Sequence, residues 1–517
     1  MPGVSALYGK NPRPRPKPTG SWDPETSAMA NGGPLRRLLT AFPAMLASAG
    51  LVDREKATAA TDLAAPVMVT GGLRILLRLA DFLMVGLALG DAAIAGLELG
   101  FQYYFVGFGL SLAVSSGTIS VVSRLQGADQ PERADLAVKQ SLWLALLISL
   151  PLSALCWRYP ELLVGVLTDD TATIRFGATY LAIVMLSLAP RFWSMVAARA
   201  LAGSADTRTP MYVRLLTLPT NVLLNAVLIF GVGPFPELGI AGAAWGTTIA
   251  NTLAAVIFLG LLLSGRYVVT LHAGGPQFSP GLMREIVRVA LPLSGMRLLQ
   301  TFARFPFLFI LGVLGTPTLA AYAIGRRVML LALMPAWGYA TAASTLVGQS
   351  LGAGDEREAT AYGWQTLRVA LAVQLVVALL LVMFARPIVS LFGTAYPDLA
   401  AAFVRVFGLL VAGFSISRTM RGSLRGAGDT RWPLYGTFLG GYCYRLPVAA
   451  LALPSSFVVT IPVLGIAVSP GLGLGLPAIF AALVGDFYLK AAVNAGRFWS
   501  GGWRDVARQS GVGAADD

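Results

Sequence analysis

The phrases LAGSADTRTP at 201–210 and LRGAGDTRWP at 424–433 share the pattern L-x-G-x-x-D-T-R-x-P. Gly203 matches Gly426, Asp206 matches Asp429, Arg208 matches Arg431 and Pro210 matches Pro433, always 223 positions apart. One turn motif carries little information, but a second copy half a chain away predicts an internal duplication. Two further pairs extend it: LALGDAAIAGLELG (87–100) with GVLGTPTLAAYAIG (312–325), and SRLQGADQPERA (123–134) with GQSLGAGDEREA (348–359), each offset by 225. Within the opening motif, glycine suits a tight helix exit, Asp or Thr suits the cap of the next helix, and proline suits its first turn.

Composition places the repeats in a bilayer. Of 517 residues, 56% are hydrophobic and only 13% charged, where soluble domains average about a quarter charged; mean hydropathy is +0.68. Runs such as LWLALLISLPLSALC (142–156) and NTLAAVIFLGLLLSG (251–265) supply most of a span, which needs about 20 apolar residues. Windows of that length predict spans near 64–88, 92–121, 136–156, 173–200, 211–231 and 239–264, then near 287–313, 318–347, 362–385, 399–423, 433–456 and 472–496. The expected fold is therefore an all-α integral membrane protein of about twelve helices in two six-helix lobes, 64–264 and 287–497, joined by a polar connector at 265–286. Six spans per repeat keeps both copies in the same orientation, with a substrate site between the halves.

The net charge of +13 reads as topology and lipid contact, not nucleic-acid binding. Part of it lies in the proline-rich stretch NPRPRPKP within a tail at 1–33, which is too polar for a signal peptide. Segment 34–63 follows, either an amphipathic surface helix or a packed linker. The connectors bearing Arg124, Arg133, Lys139, Arg208, Arg214, Arg266, Arg284, Arg357, Arg368, Arg425 and Arg431 share one side with the tail at 498–517. By the positive-inside rule, that side and both termini are expected to be cytoplasmic, in a cell membrane. Cys156 and Cys443 read as small buried hydrophobes, and His272 sits in a polar connector. No catalytic nucleophile, phosphate-binding loop or metal cluster is evident, so an enzyme, an ATP-driven pump or a cofactor is not expected.

The stretches ADFLMVGLALGDAAIAGL (80–97), TNVLLNAVLIFG (220–231), GIAGAAWGTTIA (239–250) and RFWSGGW (497–503), with both copies of the motif, resemble the multidrug and toxic compound extrusion (MATE) family. The likeness runs from about Ala64 to Trp503, and the asparagine at 221 points to its DinF-like branch. The resemblance implies cation-coupled efflux, by protons or sodium ions, through alternating access of two lobes. The rival expectations are a flippase of the same superfamily moving a lipid-linked saccharide, and a non-transporting receptor or scaffold.

Asp81 lies deep in the first span, where a bare carboxylate costs about 2.5–3.5 kcal/mol and usually faces a cavity. It either exchanges the coupling ion or pairs with Arg78 or Arg74 upstream on the same helix face. Asn221 and Asn225, four apart, share a face of the fifth span, and the resemblance adds Thr247, giving a cation-coupling set of Asp81, Asn221, Asn225 and Thr247. The family's aspartate is replaced by Asn225, leaving one carboxylate there. Gln300 stands where NorM-like relatives carry a glutamate, so coupling is expected in the amino lobe. Asp486 and Lys490, four apart, read as an ion pair. Arg74, Arg78, Arg191, Arg297, Arg304, Arg326, Arg327 and Arg445 outnumber the intramembrane acids, and Arg78, Gln300, Arg304 and Arg326 are the candidate substrate-cavity residues. The substrate is expected to be a small organic cation or amphiphile, becoming anionic or zwitterionic if the arginines line the cavity; the protein is expected to be a monomer in contact with membrane lipid.

Overall fold

The computed structural model describes residues 34–509 apart from 90, 167–169, 273, 393, 458 and 462–465; the side chains of some helical residues, Arg78 and Asp81 among them, also lie outside the description. The expected tail at 1–33 falls outside the described residues, as does 510–517 of the expected tail at 498–517; the first part of that tail is helical instead, to Trp499 and again over Trp503–Gln509.

A short helix α1 (Pro34–Ser48) precedes the amino lobe, which comprises α2 (Arg54–Leu89), α3 (Asp91–Gly127), α4 (Pro131–Arg158), α5 (Pro160–Gly165), α6 (Thr171–Met185), α7 (Leu188–Gly203), α8 (Arg208–Phe230) and α9 (Ile240–Leu263). The carboxy lobe begins with α10 (Pro280–Phe302), α11 (Arg304–Val313), α12 (Thr316–Ala332), α13 (Met334–Gly352), α14 (Glu356–Met383), α15 (Ala385–Ser390) and α16 (Pro397–Gly426). It ends with α17 (Arg431–Phe438), a π-helical turn (Leu439–Arg445), α18 (Leu446–Ala450), α19 (Leu476–Trp499) and α20 (Trp503–Gln509). Among the described residues, eight helices are long and apolar enough to cross a membrane, or ten if each of two bent pairs is one span. α2 and the α17–π–α18 segment occupy the two remaining expected positions.

Helix ends differ from the hydropathy windows where caps intervene. α10 starts at Pro280, inside the expected connector, because Ser279 accepts the Leu282 N–H. Segment 34–63 is α1 plus the first turns of α2. The connector at 457–471 carries a small antiparallel pair, β1 (Val459–Ile461) with β2 (Ile466–Val468).

Prolines set the bends. α6 and α7 meet at 49° just before Pro190, and α12 and α13 at 43° just before Pro335. A helical proline removes a hydrogen bond and clashes with the preceding turn. At the second bend Gln374 Nε2 donates to the Ala332 carbonyl, 2.8 Å away, from α14.

Each lobe surrounds its own main apolar core, the amino-lobe core also taking in Leu282 and Ile286 of α10. One is built on residues such as Val121, Leu181, Phe192 and Phe258, and the other on Phe307, Phe403, Phe407 and Ile479. A third cluster crosses between lobes, packing Ala57, Ala60 and Ala64 of α2 against Tyr339, Val347 and Tyr362. It lies at the end of the bundle that holds both ends of the described chain. There Arg508 Nε and Nη2 donate to Glu356 at 2.7 and 2.9 Å, a bond that holds the Glu356 carboxyl below its ordinary range.

The lobes meet there along a seam that obeys the internal repeat. Gly127 and Gly352 are repeat partners; a Cβ on Gly127 would overlap the Gln349 carbonyl, and one on Gly352 the Arg124 carbonyl. Ser120 Oγ donates to the Arg425 carbonyl (2.5 Å), and its partner Thr345 donates to the Ala202 carbonyl (2.7 Å). Each contact is thus made twice, once from each lobe, as an axis along the membrane normal requires. Arg124, 1% exposed, adds an ion pair to Glu285 at 2.6 Å.

The two motif copies are correct as turns, with one correction. Gly203 and Gly426 remain helical, and the left-handed residues are Ala205 (φ 67°) and its partner Gly428 (φ 82°). The glycines serve helix contact instead: a Cβ on Gly426 would come within 2.5 Å of the Ser344 carbonyl. Asp206 Oδ1 accepts the N–H groups of Arg208 and Thr209 (3.1 and 2.9 Å). Asp429 is instead bound by Arg497 Nε at 2.7 Å; burial pushes its carboxyl up, against the pull of that arginine.

A left-handed alanine costs about 1–2 kcal/mol that glycine avoids. Ala205→Gly is expected to stabilise the protein by about 1 kcal/mol and Gly428→Ala to destabilise it, both read as shifts in thermal melting in nanodiscs.

Candidate functional site

Arg191 lies in the first turn of α7, just past the 49° bend. A cavity of about 130 Å³ opens there, lined by Arg74, Arg191, Arg214, Tyr104, Asn221, Asn225, Thr247 and Asn251, among others. α8 and α9 approach so closely that a Cβ on Gly246 would overlap Asn225 Oδ1. That approach brings three of the expected coupling residues together: Asn221 Nδ2 lies 3.3 Å from Thr247 Oγ1 and 3.4 Å from Asn225 Oδ1. Asn225 is 1% exposed. The side chains of Asp81, the fourth member, and of Arg78 lie outside the described residues. Two amide groups and a hydroxyl form a small oxygen-bearing cluster suited to a hard cation or a carboxyl group.

Arginines flank that cluster. Arg191 Nη1 donates to Asn251 Oδ1 (3.3 Å), and Arg214 Nη2 to Ser194 Oγ (3.0 Å). Their guanidinium groups lie 5.4 Å from the Phe108 ring centre and 5.9 Å from that of Phe258. Counting Arg214 as a connector cation is corrected: α8 begins at Arg208, so Arg214 lies inside the helix and is buried. Arg425 and Arg124 are corrected likewise, since α16 runs to Gly426 and α3 to Gly127, with Arg124 buried.

A second cavity, about 50 Å³, sits between the lobes beside the seam. α3 and α7 contribute Leu112, Ser116 and Arg199; α10, α13 and α16 contribute Met296, Arg297, Trp337, Thr341, Arg418, Arg421 and Arg425. Five guanidinium groups therefore surround one small space. Gln300 and Arg326 are half-buried and Arg304 is exposed; none of these three lines either cavity. The sequence reading singled out Arg297 but passed over Arg199, Arg418 and Arg421. A signal was present: 418, 421 and 425 are spaced three and four apart, which is one helix face.

The carboxy lobe holds a separate charge cluster. Lys490 Nζ is 2.5 Å from Asp486 Oδ1, as the i,i+4 spacing predicts, and Arg445 Nη1 is 3.4 Å from Oδ2. Arg445 also donates through Nη2 to the Ala303 carbonyl (3.1 Å), which lies at the break between α10 and α11. Cys156 is buried as expected, whereas Cys443, in the π-helical turn, is exposed.

The sequence profile of the family described as MatE matches residues 66–227 and 292–451, one block in each lobe. A relative from Thermotoga maritima, described as a probable multidrug resistance protein NorM, is 29% identical over 86% of this chain and 92% of its own length. That name leans away from the DinF-like branch. Among solved structures, MATE in the straight conformation superposes with a TM-score of 0.77 at 19% identity, over 86% of this chain and 96% of its own. A transporter of the MOP superfamily from Pyrococcus furiosus, described as having a binding pocket of reverse polarity, gives a TM-score of 0.76 at 19% identity, over 89% and 97%. These two share the fold.

Removing one member of a buried charge cluster leaves the others uncompensated, at a cost of about 3–5 kcal/mol. Asp486→Ala is expected to lose about that much stability in thermal melts, and adding Lys490→Met should recover part of it.

Proposed function

This chain belongs to the MatE family, and from that premise we propose that it is a secondary active exporter of small organic molecules, driven by protons or sodium ions through alternating access. The observation that carries this reading is the division of the chain into two lobes with separate cores, joined at one end by a seam that repeats itself about the internal axis. Such a pair can rock about its junction without unpacking either core. The relatives' multidrug-resistance names point the same way.

Coupling is assigned to the amino lobe. The ion-exchanging carboxylate is assigned to Asp81, and Asn221, Asn225 and Thr247 are assigned as the neutral oxygens that share the ion with it. Arg74, Arg191 and Arg214 line the cavity that holds those oxygens, and nearby cations favour the ionised form of a carboxylate. Arrival of a proton or a sodium ion weakens that attraction, and the resulting rearrangement biases the lobe toward releasing substrate. In the carboxy lobe, the Asp486–Lys490–Arg445 cluster braces helices where prolines interrupt them. The end bearing the basic connectors and both chain ends faces the cytoplasm, and the protein works as a monomer without a cofactor.

The test is transport in proteoliposomes with proton and sodium gradients imposed separately. Gradient-driven export is expected, with at least a tenfold loss in Asp81→Asn and a partial loss in Asn221→Ala. Full activity in Asp81→Asn would contradict the assigned coupling residue, and uptake that never exceeds equilibration would contradict active export.

A further inference from the structure

The interlobe cavity is more basic than export of organic cations explains. Arg199, Arg297, Arg418, Arg421 and Arg425 all line it, and among its described lining residues there is no aspartate or glutamate. Their hydrogen bonds are mostly to neutral groups. Arg199 Nη1 donates to Thr341 Oγ1 (3.1 Å). Arg425 Nε donates to Ser344 Oγ (3.0 Å) and its Nη2 to the Ala340 carbonyl (3.2 Å). Arg418 lies 4.2 Å from the Trp337 ring centre and 4.9 Å from that of Phe414. Arg421 reaches only the Met296 sulfur through Nη1, at 3.2 Å, and its Nη2 is buried with no hydrogen-bond partner.

Each guanidinium carries five N–H donors, and these acceptors satisfy a minority of them. Inside a membrane protein, clustered cations repel strongly and need partners or water. An organic cation would add to that repulsion. A phosphate or carboxylate would relieve it, because Arg matches planar and tetrahedral oxyanions with paired N–H donors. The small volume admits an oxyanion group rather than a drug-sized molecule, whose pockets run to about 300–1,000 Å³. Leu112, Leu293 and Met296 in the same lining offer an apolar wall to a carbon chain attached to that anion.

Resting on the exporter reading above, we propose that the interlobe cavity is the subsite for an oxyanion head group, so that the transported substrate is an anionic amphiphile bearing a phosphate or carboxylate. Both lobes contribute: Arg199 comes from α7, the other four arginines from α10 and α16. Arg425 also ties the subsite to the seam, since its carbonyl accepts the Ser120 hydroxyl. An anion held by arginines of both lobes draws them together, and its departure leaves their repulsion to part them.

The test is equilibrium binding to the full chain in nanodiscs of neutral lipid, with no gradient, using hexyl phosphate, inorganic phosphate and hexyltrimethylammonium as probes. Hexyl phosphate is expected to bind, more weakly as salt is raised, and at least tenfold more weakly in an Arg297→Gln, Arg421→Gln double variant. The corresponding double lysine variant, which keeps the charge, should retain part of the affinity and guards against a folding defect. Inorganic phosphate binding as tightly as hexyl phosphate would support the oxyanion site but overturn the amphiphile. Hexyltrimethylammonium binding in place of hexyl phosphate, or equal hexyl phosphate binding by parent and double glutamine variant, would overturn the proposal. Phosphate binding without gradient-driven transport would overturn the exporter reading and leave the subsite standing; cation export without phosphate binding would do the reverse.

Discussion

The close crossing of α3 and α13 is the constraint on which the rest of the structure depends. In lipid, helices gain little from hiding apolar surface from one another, so association rests on close packing and interhelical hydrogen bonds. Gly127 and Gly352 provide that approach reciprocally, each placing its backbone against a carbonyl of the other helix. The Ser120 and Thr345 hydroxyls then reach carbonyls near the ends of α16 and α7. These contacts hold one end of the bundle shut and set the interlobe cavity beside it.

Charge organises what the seam leaves open. Acids inside the spans are few, and the structure separates the described charges by role. Asp486 is wholly enclosed by cations of its own lobe and stabilises interrupted helices. The five arginines of the interlobe cavity have no aspartate or glutamate among its described lining residues. The amino-lobe cavity combines both kinds of group, with guanidinium groups around a cluster of amides and a hydroxyl. Of these three charge clusters, only the one at the lobe junction draws its arginines from both lobes.

The duplicated turn motif and the hydropathy windows made the two-lobe architecture legible, because a span must be long and apolar wherever it sits. The grouping of Asn221, Asn225 and Thr247 was legible too, the first two from helical spacing and the third from the family resemblance. The pairing of Asp486 with Lys490 followed from their i,i+4 separation, but Arg445 did not, since only tertiary packing brings α18's neighbour against α19. Arg425 was misread as a connector charge because the hydropathy window at 399–423 ends before it, whereas α16 runs on to Gly426; Arg214 already lay inside the window at 211–231 and is a buried residue of α8. The left-handed turn residue was misplaced for a related reason: glycine recurs in the motif for close helix contact, and the strained position is Ala205 in one copy and Gly428 in the other. The bends at Pro190 and Pro335, which decide what faces the cavities, carry no hydropathy signal.

The central claim is that the lobes part at the seam during the working cycle. Spin labels on exposed connector positions either side of it, Glu132→Cys in the amino lobe and Arg357→Cys in the carboxy lobe with Cys443→Ser, report that separation by pulsed dipolar spectroscopy. The account predicts two distance populations whose balance shifts with the coupling ion and with substrate. A single short distance, unchanged by pH, sodium or substrate, would contradict it.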